Sequence, residues 1–196
     1  MQFELPIILA STSARRKALL EEAGYEPIVC KPQIDDGLLS CGTMRVHAWV
    51  RTLAVLKAMD VHSQSKVQEG TILAADTVCV IDNVMFGQPE SRSDAMRMLQ
   101  RLENSSHQVC TGWCLLNANG DIRSGYEFTT VSIGTIGKIE LESYVSSGEW
   151  RGKAGAYNLP ERVSAGWPIL CEGDEASVMG LPIARLKKEL PKGTLH

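Results

Sequence analysis

Five short features of the chain bring polar or charged residues into places where a packed fold favours apolar ones, or gather them next to such places. The first is ASTSARRKALLEEAG, residues 10–24. Ser11, Thr12 and Ser13 follow the apolar run Ile7-Ile8-Leu9, and Arg15 and Arg16 come directly after them. Ala18, Leu19, Leu20 and Ala23 then repeat at helical spacing, with Gly24 as the closing residue. The hydroxyls therefore fall on a strand-to-helix turn. Unpaired N–H groups and the positive end of the helix dipole suit an anion there. Two guanidinium groups add bidentate donors for phosphate or carboxylate. Taken alone, the stretch also reads as a capped helix with two solvated arginines.

The second feature is AADT, Ala74 to Thr77. An aspartate inside an apolar strand is costly unless it is paired, hydrogen-bonded or metal-bound. Asp76 is thus a functional candidate on energetic grounds, with the Thr77 hydroxyl beside it; the alternative is a satisfied structural aspartate. The third is Lys57, at the border of an apolar helical stripe, which alone reads as a snorkelling surface lysine. The fourth is GKAGAY, residues 152–157, where small residues around Lys153 let backbone approach a ligand and the ammonium offers a point charge to phosphate. It is otherwise a plain glycine-rich turn. The fifth is Asp35-Asp36, adjacent carboxylates of the kind that hold Mg²⁺, or else a solvated turn before Gly37.

The elements that must position these residues alternate in type. LPIILAS is read as a strand, residues 14–23 as a helix and EPIVCK as a second strand. Residues 43–59 form an amphipathic helix with Val46, Val50, Leu53, Ala54 and Leu56 inward. TILAADTVCVI is a strand over 71–81, DN at 82–83 a tight turn, and VMF continues beyond it. SRSDAMRMLQRL is a helix to about Leu102, with Ser91 and Asp94 as a capping box. HQVCTGWCLLN and YEFTTVSIGTI are strands joined by NANGD. ELESYVSSG is a short helix, WPILCEG a strand, and LPIARLKKEL a closing helix with Pro182 in its first turn. Hairpins in the middle of the chain argue against a pure βαβ winding and for a mixed α/β fold.

Composition narrows the partners. The 196 residues suffice for one large domain, and a 44% hydrophobic fraction fills a sizeable core. A net charge of −3 argues against a generally basic nucleic-acid binder. No apolar run approaches about 20 residues, so no membrane span is expected. The start MQFELPII lacks the pattern of a signal peptide. The six cysteines form no C-x-x-C pair and are read as reduced thiols of a cytoplasmic protein. The histidines are widely spaced, and the four tryptophans read as core or rim rather than as a stacking platform. No G-x-x-x-x-G-K-[S/T], G-x-S-x-G or H-E-x-x-H motif is present.

The order of the stretches is more specific than any one of them. LASTSARRKALLEEAG, LAVLKA, AADTVCVIDN, HQVCTGWCLL, YVSSGEWRGKAGAY and VMGLPIARLKKEL together resemble the Maf-like nucleoside triphosphate pyrophosphatases along nearly the whole chain. The resemblance implies one domain over residues 1–196. Its fold would be an elongated mixed sheet flanked by helices, inosine triphosphatase-like, with two lobes around a deep nucleotide-binding cleft, often paired as a homodimer. It implies hydrolysis between the α- and β-phosphates of a nucleotide with Mg or Mn, and the ARR and KAGAY forms resemble the dTTP/UTP branch. By the same resemblance Ser11, Ser13, Arg15 and Arg16 bind triphosphate, Asp76 is the general base and Thr77 a specificity position. Lys57 and Lys153 lie on the phosphate side, and Asp35 or Asp36 joins Asp76 at the metal. The chain departs from the family pattern at Gln88, where a lysine is usual, and at Pro160, where a glutamine is usual. Aspartate for the usual metal glutamate is a third departure. Two readings follow: an active pyrophosphatase, or a catalytically weak protein of the same fold that binds nucleotide or a protein partner.

Overall fold

The computed structural model describes residues 3–35, 38–64 and 69–191. The strands are β1 Ile7–Leu9, β2 Ile28–Val29, β3 Thr71–Ile81, β4 Val84–Phe86, β5 Ser105–Asn117, β6 Ile122–Ile133 and β7 Ile169–Glu172. They form one mixed sheet in the order β2-β1-β3-β5-β6-β7, with β4 paired to β3. The helices are α1 Ala14–Glu22, α2 Val46–Ser63, α3 Arg92–Leu102, α4 Lys138–Ser147, α5 Leu159–Ser164, α6 Glu175–Val178 and α7 Ile183–Leu186. The mixed α/β class read from the sequence is the one observed. Among the described residues no helix is long and apolar enough to cross a membrane.

The chain divides into two compact units. The first takes the chain up to Asp76, then Thr111–Glu127, then the chain from Gly180 onward. Here β1 runs parallel to both neighbours, with Leu9 opposite Val29 of β2 and Leu73 of β3. Helix α2 lies on this part of the sheet. Val50, Ala54, Ala58 and Val61 repeat at helical spacing and are fully buried, and Ala54, Ala58 and Val61 pack with Ile8, Ile72, Ala74, Cys114 and Leu116. Small residues in the stripe bring the helix backbone close to the sheet. The inner positions differ in part from the expected set: Val46 and Leu56 are only half-buried, and Ala58 and Val61 replace them.

The second unit takes Thr77–Cys110 and Phe128–Met179. β3 turns at Asp82 and Asn83, both with positive φ, and returns as β4 with Cys79 opposite Phe86. Two successive positive φ values are what a two-residue hairpin of this hand requires. Ala95, Met98, Leu99 and Leu102 make the inner face of α3, which packs into a core with Val109, Val131, Leu141 and Trp167. Ser91 caps α3 by accepting the Asp94 N–H, as the capping-box spacing predicts.

Several boundaries differ from the sequence reading, each for a local reason. β1 stops at Leu9 because the Ser11 N–H turns back to the Leu9 carbonyl. β2 keeps only two exposed residues at the sheet edge. β6 begins at Ile122, ahead of the apolar run, because pairing with β5 carries a polar segment. The closing helix is confined to Ile183–Leu186; Lys188 and Glu189 bond three residues back, and Pro191 disfavours helical backbone at Leu190. Helices α5 and α6 were not expected. All six cysteines are free thiols, and burial pushes Cys79, Cys110 and Cys114 up to about 12, so they stay protonated. Trp113, Trp150 and Trp167 are buried core residues.

Candidate active site

In the first unit the opening turn is organised by its hydroxyls. Ser13 caps α1 and its side chain accepts the Arg16 N–H at 3.4 Å. Ser11 is buried, and its Oγ accepts the Ser13 N–H at 3.1 Å and the Arg16 Nη1 at 3.3 Å. Arg16 also donates from Nε to the Gly180 carbonyl at 3.0 Å. Arg16 is therefore a held side chain and not a solvated one, and Arg15 beside it is half-buried. The first turn of α1 carries no acidic residue to offset its positive end.

The register of the sheet brings Asp76 to the same end. Leu9, the last residue of β1, lies opposite Leu73, and the Ala10 N–H still bonds the Leu73 carbonyl at 2.8 Å. Asp76 follows three residues later on β3, beyond the point where the β1 chain leaves the sheet. Its Oδ1 accepts from Lys57 Nζ at 2.6 Å, and the two side chains are only 12% and 14% exposed. The lysine therefore does not snorkel, as the isolated reading of Lys57 suggests. A carboxylate in an apolar strand finds its counter-ion on the helix that packs over it.

Asp35 is exposed, but its segment is tied to α2. The Gln33 N–H donates to Asp60 Oδ2 at 2.6 Å, and Gln64 Nε2 donates to Asp60 Oδ2 and to the Lys31 carbonyl. Asp60 is one helical turn beyond Lys57. Asp36 lies outside the described residues. Among the described residues no group of three or more His, Cys, Asp and Glu is placed to hold a metal ion.

In the second unit Thr77 is half-buried, Gln88 exposed and Lys153 buried. The turn after Lys153, Ala154–Ala156, is a single 3-10 turn. It is held on four sides. The Gly155 N–H donates to the Gly87 carbonyl at 3.0 Å, which sets the residue before Gln88 against it. Gly155 has φ +68°, and a Cβ there would lie 3.1 Å from Cys79 Cβ. The Tyr144 hydroxyl donates to the Ala156 carbonyl at 2.9 Å. Tyr157 Oη lies 2.8 Å from His107 Nε2 inside the core, where burial lowers the imidazole to about 4 and keeps it neutral. The glycine-rich stretch is thus a built feature.

Lys153 Nζ is paired with Glu161, a residue the sequence reading passed over. Glu161 sits in the first turn of α5, whose cap Asn158 accepts the Glu161 N–H at 3.1 Å; Pro160 occupies the same turn. The signal was present as Asn-x-x-Glu with proline inside it, the pattern of a helix start.

The chain matches the family described as Maf-like protein over residues 6–192. The dTTP/UTP pyrophosphatase of Salinibacter ruber is 36% identical over 191 residues, covering 97% of this chain and 92% of the relative. The dTTP/UTP pyrophosphatase of Halalkalibacterium halodurans is 37% identical over 185 residues, covering 94% of each. Among solved structures, the Ham1 protein of Staphylococcus aureus overlaps 65% of this chain and 71% of its own, at 12% identity and a TM-score of 0.45.

Proposed function

The chain belongs to the Maf-like protein family, and on that footing we propose that it is a nucleoside triphosphate pyrophosphatase, acting on nucleotides of the dTTP and UTP kind. The observation that carries the chemical reading is the Lys57–Asp76 pair. The reaction adds water across the bridge between the α- and β-phosphates. One oxygen–phosphorus bond forms, the bridging bond breaks, and monophosphate and pyrophosphate leave. A carboxylate is needed to orient the water and take its proton, and cations are needed to offset charge on the leaving group. Asp76, paired with Lys57 at 2.6 Å, is assigned the first task. Arg15, Arg16, Lys57 and Lys153 are assigned the second, with Ser11 and Ser13 shaping the turn. Thr77 and Gln88 complete the proposed substrate contacts, within a single domain of residues 1–196.

A divalent metal of the Mg²⁺ or Mn²⁺ type belongs to this reading. Mg²⁺ is commonly held by one or two carboxylates and the substrate phosphates, without a protein cage. Asp76, together with Asp35 or Asp36, would be the carboxylates that hold it. The ion, when bound, would neutralise phosphate charge.

The test is pyrophosphate release over a panel of nucleoside triphosphates with Mg²⁺ or Mn²⁺. Release from dTTP and UTP ahead of purine nucleotides is expected. No release from any nucleotide, with binding retained, would favour the weakly catalytic reading.

Gln88 gives a further expectation. The Gly87–Gly155 bond keeps it beside the Lys153 turn, yet its amide brings no charge. Gln88→Lys is expected to raise kcat about fivefold, the gain of a charge-assisted over a neutral hydrogen bond, with a smaller fall in KM. Steady-state kinetics on the best nucleotide check this; an unchanged kcat would mean the site is organised around glutamine.

A further inference from the structure

The Lys153 ammonium is buried and its partner is a carboxylate of its own chain, Glu161. The side chain of Glu161 is 45% exposed while that of Lys153 is 9% exposed, so the anion of the pair faces solvent and the cation lies behind it. Glu161 is also held in place. Its N–H is bound by Asn158, and the next residue, Arg162, is anchored to Glu149 at 2.7 Å and stacked 4.3 Å over the Tyr144 ring. Tyr144 in turn holds the Ala156 carbonyl of the Lys153 turn. The lysine turn and the helix bearing its counter-ion are thus clamped by the same aromatic residue.

A phosphate that reaches Lys153 meets an ammonium already matched by a carboxylate. We propose that Glu161 is the resident counter-ion of Lys153, a positioning residue that the substrate's phosphate displaces and that takes the lysine back when pyrophosphate leaves. The inference rests on the assignment of Lys153 to the phosphate side of the nucleotide. A buried ammonium left unpaired after product release would hold the anion tightly, because a desolvated charge without a partner is costly. Glu161 removes that cost and so weakens product binding. A short α5, fixed at Asn158 and Arg162, returns the carboxylate to one place.

Inorganic pyrophosphate is the probe, measured by calorimetry on the full chain in magnesium buffer. Glu161→Gln keeps shape and removes the charge. It is expected to bind pyrophosphate about tenfold tighter than the wild type, with the gain shrinking as salt rises. Glu161→Asp is expected to stay near wild type. In a Lys153→Met background the Glu161→Gln substitution is expected to change nothing. On the nucleotide, Glu161→Gln is expected to lower KM and not raise kcat, since release slows. Its melting temperature should fall without ligand and recover with pyrophosphate. Equal or weaker pyrophosphate binding by Glu161→Gln overturns the proposal, as does a gain that survives Lys153→Met, or the absence of pyrophosphate binding to every variant. Failure of the pyrophosphatase reading is separate: the nucleotide panel then shows no turnover, while the ratio of pyrophosphate affinities still decides the role of Glu161.

Discussion

Asp76→Asn is expected to lower turnover by about 10²–10⁴, the usual loss when a general base is removed, while nucleotide binding persists. The amide keeps the shape of the carboxylate and can still accept from Lys57 Nζ. It loses the lone pair that takes a proton from water and the charge that a metal would meet. The pair is nearly buried, at 12% and 14% side-chain exposure, so the variant also leaves the Lys57 ammonium without its full counter-charge. A stability loss of about 1–3 kcal/mol is expected from that alone. The two effects separate by experiment. Turnover is measured by pyrophosphate release and stability by urea unfolding, with Lys57→Met as the companion variant. If Asp76 were only a structural counter-ion, both variants would lose stability and Asp76→Asn would turn over at close to the wild-type rate. That result would remove Asp76 from the proposed chemistry.

The second large effect is expected at a glycine of β5. Gly112→Ala places a Cβ 2.4 Å from the Val50 carbonyl carbon, 2.5 Å from its oxygen and 2.5 Å from the Arg51 nitrogen. These are backbone atoms of α2, so no rotamer change relieves the clash. Either β5 or the helix must move. Overpacking of this kind costs about 1–3 kcal/mol and occasionally more. The helix that moves carries Lys57 seven residues on, and a misplacement of about 1 Å near a reacting centre can cost on the order of 10² in rate. Gly112→Ala is therefore expected to lower both the unfolding midpoint and kcat of the protein that remains folded, with KM affected less. A variant of wild-type stability and rate would show that the approach of α2 to β5 is looser than these distances.

Much of this was readable in the chain. The apolar run 71–81 is β3 to the residue, because eleven residues of strand character end on Asp82-Asn83, a pair that accepts positive φ. α3 ends at Leu102 as expected, because Ser91 and Asp94 mark its start and its apolar residues share one face. The turn of Ser11, Ser13 and Arg16 was readable too, since hydroxyls between a strand and a helix have local work as caps. Asp76 stood out because desolvation makes an acid in an apolar strand need a partner.

The identity of that partner was not readable. Lys57 meets Asp76 because α2 packs its small-residue stripe onto the sheet, and a sequence does not say which turn of a helix will lie over which strand residue. Lys153 is paired with Glu161 because a 3-10 turn and a six-residue helix fold back on each other around Tyr144, contacts that no local preference encodes. The sequence alone therefore determined the elements and the charged groups available to the site, since caps, turns and apolar periodicity act over a few residues. Only the tertiary structure decided which charges neutralise each other, since burial and Coulomb attraction act between side chains that packing, and not chain order, makes neighbours.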